Sequence, residues 1–144
     1  MKTALLTKEH LPEILKLYKD NFSDGWNKVM LESAFDTGRF IALGIIESDK
    51  LIGLITSSLT VDDADIEGVV VDKEYRKKGY AKALLIELEK LLVEKGIRKV
   101  FLEVRESNFP AISLYEKNGY TKINLRKKYY SDGENAVIMA KGKL

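Results

Sequence analysis

Cysteine is missing from this 144-residue chain. Its absence excludes disulfides, a thiolate nucleophile and any cysteine-ligated metal, and it fits a reducing compartment. His10 is the single histidine, so no histidine cluster can hold a metal, and none is expected. Bases and acids nearly cancel: 24 Lys and Arg against 22 Asp and Glu leave +2, too little for general nucleic-acid binding. No apolar run approaches the ~20 residues that span a bilayer, and the chain turns charged by Lys8 before a signal-peptide pattern can form. A soluble cytoplasmic protein with no membrane or nucleic-acid partner is the expectation. What the chain does have is 45% hydrophobic residues, enough at this length for one domain, 1–144, with a real core.

The most informative stretch runs from Asp65 to Gly96. Val69, Val70 and Val71 form the β-branched run of a buried strand, and Gly68 beside them signals a bulge or a close backbone approach. Arg76-Lys77-Lys78-Gly79-Tyr80-Ala81 then leads directly into a helix. Ala81, Leu84, Leu85, Leu88, Leu91 and Leu92 draw a single apolar stripe along that helix. A loop of this kind aims free N–H groups and the positive end of the helix dipole at one spot, which suits a phosphate or pyrophosphate. No Gly-Lys-[Ser/Thr] follows, so it is not a Walker loop. From spacing alone, a plain helix-entry loop is an equal reading.

Met1 to Leu6 reads as a strand, and Thr7 can cap a helix through Phe22 with Pro12 in its first turns. Ser23-Asp24-Gly25 breaks the chain before a shorter helix from Trp26 to Phe35. Arg39–Glu47 and Lys50–Thr60 form a hairpin around Ser48-Asp49. Asp62-Asp63 turns into the central strand, and the cluster of Asp62, Asp63 and Asp65 is read as turn rather than metal site. Ile97 to Arg105 is a further strand; Ser107 or Asn108 caps a helix that ends at Asn118-Gly119. Tyr120–Tyr130 and Glu134–Lys143 close the chain as an antiparallel pair. The order β-α-α-β-β-β-α-β-α-β-β implies an α+β fold on a mixed six- to seven-stranded sheet, antiparallel in its first half with a parallel pair at its centre.

"VVVDKEYRKKGYAKALL" resembles the coenzyme A motif of the GNAT acetyltransferase superfamily, [QR]-x-x-G-x-[GA] after a strand, with Ala81 at the third position. "LEVRESNFPAISLYEKNGY" and "KKYYSDGENAVIM" resemble, more narrowly, the RimI-type protein N-terminal acetyltransferases, including the archaeal Nα-acetyltransferases. "FSDGW" stands where such enzymes carry an aromatic-rich helix-helix turn, without the usual proline. The resemblance implies a GNAT fold and acetyl-CoA as cosubstrate. It implies that the backbone of Arg76, Lys77, Lys78, Gly79, Tyr80 and Ala81 holds the pyrophosphate, and that the strand at Val69, Val70 and Val71 pairs with the pantetheine arm. The acceptor is then a protein or peptide N-terminus, a ribosomal protein among the candidates, and the enzyme a monomer or weak homodimer.

Glu103 sits in the apolar strand "KVFLEVR", on the face it shares with Phe101 and Arg105. A carboxylate there costs stability unless it is paired or functional. By pattern alone, an ion pair with Arg105 is slightly favoured. The resemblance instead makes Glu103 the general base, and an attacking amine does need a group to accept its proton. Tyr115 lies two helical turns after Asn108, on the same side, and by pattern alone a tyrosine there is more often core than catalytic. The resemblance makes Tyr115 the proton donor to the departing thiolate and has Asn108 contact the cofactor. Lacking cysteine, the chain favours direct attack in a ternary complex over a covalent acyl-enzyme.

Tyr129 and Tyr130 line the acceptor groove by the same resemblance; amphipathic hairpin tyrosines are an equal reading. Trp26 is read as a core or groove-wall anchor, Arg126-Lys127-Lys128 as a solvated strand end with attraction of acidic substrate residues as the alternative, and His10 as a helix-surface residue. A small-molecule amine or a lysine side chain as acceptor, and a regulatory domain that binds CoA without catalysis, stay open. A nucleic-acid binder using Arg126 to Tyr130 is the remaining rival.

Overall fold

The computed structural model describes residues 2–21 and 26–144. Strands β1 (Thr3–Leu5), β2 (Phe40–Glu47), β3 (Lys50–Leu59) and β4 (Asp63–Val71) pair antiparallel, each with the next. Helices α1 (Leu11–Asn21) and α2 (Lys28–Asp36) lie between β1 and β2 in the chain. Helix α3 (Tyr80–Glu94) crosses over to β5 (Lys99–Arg105), which runs parallel to β4. Helix α4 (Phe109–Lys117), β6 (Thr121–Arg126) and β7 (Ala136–Gly142) follow. The last strand inserts between β5 and β6, so the sheet reads β1-β2-β3-β4-β5-β7-β6. This is the mixed α+β sheet that the element order implies.

Local chemistry explains most element ends. Thr7 Oγ1 accepts from Glu9 N while the Thr7 N–H donates to His10 Nδ1, a reciprocal cap. The only histidine is therefore a capping residue, and a short 3₁₀ turn precedes α1. Asn27 Oδ1 accepts from Met30 N at 2.8 Å, which starts α2 two residues later than the apolar pattern suggests. Ser48 and Asp49 take positive φ, the conformation that a two-residue turn between twisted strands requires. The break at Phe22-Ser23-Asp24-Gly25 lies outside the described residues.

Two apolar layers cover the sheet. The α3 stripe buries Leu84, Leu85, Leu88 and Leu92 on one face, together with Ile52, Ile55, Val100, Leu102 and Tyr115. On the other face Ile14, Leu17, Tyr18 and Leu31 pack over Ala42, Leu54 and Val70. A part-buried polar bridge ties the first layer to the sheet: Glu89 accepts from the Tyr120 hydroxyl at 2.7 Å and from Lys141 Nζ at 3.0 Å. Beyond α1 the second face carries Phe101, Glu103 and Ile138 into an open groove.

Candidate active site

The site begins where two neighbouring strands part. β4 and β5 pair only over Asp63–Ile66 and Lys99–Leu102. Past that point β4 continues to Val71 against β3 alone, and β5 continues to Arg105 against β7 alone. Among the described residues, the ladder between β4 and β5 does not extend past Ile66 and Leu102. A gap of this kind in the ladder suits an extended, amide-bearing ligand. Val69 is part-buried at this edge, whereas the side chains of Val70 and Val71 are buried.

A bulge sits at the same place. Thr56 pairs with Gly68 and Ser57 with Ile66, which leaves Glu67 as the extra residue. A Cβ on Gly68 would lie 2.8 Å from the Tyr18 hydroxyl. Glycine thus admits the α1 phenol to the bulge, and burial pushes the Tyr18 pKa up to about 12.

Beyond β4, the loop into α3 presents donors with no acceptor of their own. Lys77 and Gly79 both adopt left-handed backbone, at φ +64° and +83°. Gly79 stands at the N-cap of α3 and supplies no side-chain cap. Among the described residues, the N–H groups of residues 76–81 make no hydrogen bond of ordinary geometry. Together with the helix dipole they form an anion nest.

The side chains of this loop turn elsewhere. Arg76 Nε donates to the Val71 carbonyl at 3.0 Å and its Nη2 to Asn21 Oδ1 at 3.2 Å. Lys78 lies over the Tyr75 ring, and the Tyr80 hydroxyl donates to Glu47 at 2.8 Å. Ala81 is part-buried in the first helical turn. A nest followed by an unpaired strand edge fits a ligand that joins a diphosphate to an extended amide chain.

On the α1 side of the opening lies a groove of about 610 Å³. Its lining includes Asp65, Glu67, Glu103, Arg126, Tyr129 and Tyr130. Glu103 does not pair with Arg105, as adjacency suggests. Its carboxylate lies 3.6 Å from Arg126 Nη1 instead. The Tyr129 hydroxyl also faces Glu103, whose hydrogen bond and charge raise the phenol's pKa.

Arg105 holds the hairpin loop. It reaches Asp132 at 2.7 Å and Glu134 at 3.1 Å, and its guanidinium stacks 4.1 Å from the Tyr130 ring centre. Glu134 also accepts from Ser107 N at 2.8 Å. The two tyrosines stand edge to face at 5.1 Å on this anchored loop.

Tyr115 approaches from the opposite side. It is buried within the α3–α4 layer, and burial is the first cause of its raised pKa, with the Tyr18 phenol second. No hydrogen bond joins Tyr115 to Glu103. Asn108 is exposed at the N-cap of α4, where its Oδ1 accepts from Ala111 N at 3.2 Å, so it does not share the buried side of Tyr115. Trp26 packs edge-on to Phe40 at 5.6 Å and is not part of the groove lining.

Three groove residues escaped the sequence reading. Arg126 is not merely a solvated strand end, and Asp65 belongs to β4 rather than to a turn. Glu67 was not singled out at all. The alternation Asp63-Ala64-Asp65-Ile66-Glu67 was the available signal, since every second residue of a strand shares a face. Burial raises the pKa of both Asp65 and Glu67. Among the described residues no group of three or more His, Cys, Asp or Glu could hold a metal ion, and no helix is long and apolar enough to cross a membrane.

The sequence profile of the acetyltransferase (GNAT) family matches residues 11–120. The [ribosomal protein bS18]-alanine N-acetyltransferase of Haemophilus influenzae is 41% identical over 106 residues, which cover 71% of this chain and 72% of that one. The crystal structure of the Escherichia coli ribosomal-protein-S18-alanine N-acetyltransferase superposes with a TM-score of 0.91 at 28% identity, covering 99% of this chain and 93% of that one. Ard1 from Thermoplasma volcanium shares the fold, with a TM-score of 0.88 at 23% identity over 99% of this chain and 97% of that one.

Proposed function

The chain belongs to the GNAT family and is an acetyl-CoA-dependent N-acetyltransferase, and on that premise we propose that it acetylates the α-amine of a protein N-terminus. One observation carries this reading: Glu103 stands in a groove walled by Tyr129 and Tyr130, at the edge where β4 and β5 part. A groove of about 610 Å³ accepts the first residues of a peptide. The protein acceptors named for its relatives have the same chemistry.

The N–H groups of residues 76–81 hold the diphosphate of the cosubstrate, and the free edge of β4 at Val69–Val71 holds its amide arm. Acetyl-CoA, when bound, supplies an acetyl thioester at the β4–β5 opening. Glu103 accepts the proton that the incoming amine must lose, directly or through one water. An α-amine with a reference pKa of ~8 is already neutral in roughly a tenth of molecules at pH 7, so a carboxylate suffices as base. Tyr115 keeps its proton because burial raises its pKa, and its hydroxyl delivers that proton to the departing sulfur. A β4 N–H within the opening can stabilise negative charge developing on the carbonyl oxygen. Direct transfer between two bound substrates follows, with no covalent acyl-enzyme.

The test is release of free CoA with short peptides that begin in Ala, Ser or Met, run beside polyamines and internal-lysine peptides. Turnover of the first group is expected. Turnover confined to polyamines or lysine side chains would remove the N-terminal reading and leave the acetyltransferase intact.

A further inference from the structure

The acceptor groove is charged unevenly. Asp65 and Glu67 on β4 and Glu103 on β5 face it, and Arg126 is the one Lys or Arg in its lining. That guanidinium lies against Glu103. The groups acting on Glu67 are its own burial, the Asp65 charge and the Ser58 hydroxyl; those acting on Asp65 are burial and the charges of Glu103 and Asp63. No cation is among them. Both carboxylates are exposed in the groove wall, and without a cation among the described groups acting on them they leave that wall negative toward a bound acceptor.

The acceptor's own ammonium is a poor partner for them. It must lose its proton to react, and a carboxylate that stabilises the charged amine holds back the attacking form. A cation that keeps its proton throughout has no such conflict. The residue after the acetylated one can carry such a cation, and Lys and Arg do so at neutral pH.

Resting on the N-terminal reading above, we infer that Glu67, with Asp65 beside it, selects acceptor N-termini whose second residue is Lys or Arg. Glu67, the extra residue of the β4 bulge, lines the groove together with Asp65, while Glu103 on β5 serves the amine. Arg126 neutralises Glu103 in part and leaves the β4 pair to the acceptor's side chain.

The experiment uses Ser-first peptides of one sequence with Lys, Gln or Glu at position two. Acetylation rates and peptide binding by calorimetry are both measured, the latter with acetyl-CoA absent. The expected order of kcat/KM is Lys above Gln above Glu, with about tenfold between the extremes, shrinking as salt rises. Glu67→Gln and Asp65→Asn should narrow the Lys-to-Glu ratio, and Glu67→Lys should reverse it in both rate and binding. Equal rates across the three peptides, or a preference that the β4 substitutions leave intact, overturns the inference but not the N-terminal reading. Failure to acetylate any peptide, with polyamines still accepted, overturns both.

Discussion

The Arg126 guanidinium lies 3.6 Å from the Glu103 carboxylate, across the width of the groove from β6 to β5. The contact comes to Glu103 from Arg126 on β6 rather than from its strand neighbour Arg105. Glu103→Gln keeps the shape of the contact and removes the proton acceptor. It should lower kcat by roughly 10²–10⁴ while acetyl-CoA affinity, which we propose rests on the loop ahead of α3, changes less than about twofold. Unaltered turnover in this variant would strip Glu103 of its role.

The same substitution has a spectroscopic consequence that needs no substrate. Glu103 raises the Tyr129 pKa by hydrogen bond and charge. Removing that charge lets the phenol ionise at lower pH, so the tyrosine absorbance titration of Glu103→Gln should begin earlier than in the wild type. Superimposable titrations would show that the carboxylate and the phenol are not in contact in solution.

Tyr115→Phe separates chemistry from folding. The ring stays buried against Tyr120 at 5.6 Å, and no hydrogen bond of the hydroxyl is lost among the described residues. Stability should fall by less than about 1 kcal/mol, while kcat falls about 10²-fold for want of a proton donor. Because burial raises the Tyr115 pKa, the wild-type enzyme should keep this donor as pH rises through 10, the ordinary phenol value. A basic limb that disappears in Tyr115→Phe and lies below pH 10 would contradict that placement.

Gly68→Ala probes the approach of α1 to the bulge. The added methyl meets the Tyr18 hydroxyl at 2.8 Å, a clash that costs about 1–3 kcal/mol in a packed interior. Trimming the hydroxyl with Tyr18→Phe should recover much of the loss, visible as non-additive melting temperatures in the double variant. Additive effects would mean that the two residues do not touch.

Caps, turns and the leucine stripe were legible because each is a local choice: Thr7, Asn108, Ser48-Asp49 and Leu84 to Leu92 are fixed by neighbours within four residues. The anion loop was legible for the same reason, since Lys77 and Gly79 set their own backbone. The partners of Glu103 and Arg105 were not. Side chains two apart on a strand stand about 7 Å from each other, and the β6–β7 hairpin supplies closer partners in Arg126, Asp132 and Glu134. Pairing across 23 to 29 positions is set by sheet order, and β7 entering between β5 and β6 leaves no mark in local pattern. Glu67 was not legible because the bulge signal lies in Gly68, while the extra residue of the bulge is its neighbour.

Glu67 also makes stability depend on pH in a stated direction. Burial raises its pKa in the folded state above the ordinary 4.5. Below the unfolded value both states hold the proton and the fold is at full strength. As pH rises through the raised value the carboxylate must ionise within the groove wall, and stability is lost relative to that limit. Glu67→Gln copies the protonated form at every pH, so it should melt slightly above the wild type at pH 8 and alongside it near pH 4. Asp65→Asn should behave in the same sense, since its pKa is raised by burial first and then by Glu103. A peptide with Lys at position two, added at pH 8, should raise the wild-type melting temperature and leave that of Glu67→Gln nearly unmoved. If Glu67→Gln melts lower than the wild type at pH 8, the carboxylate is satisfied by the protein itself and is not held ready for an acceptor's charge.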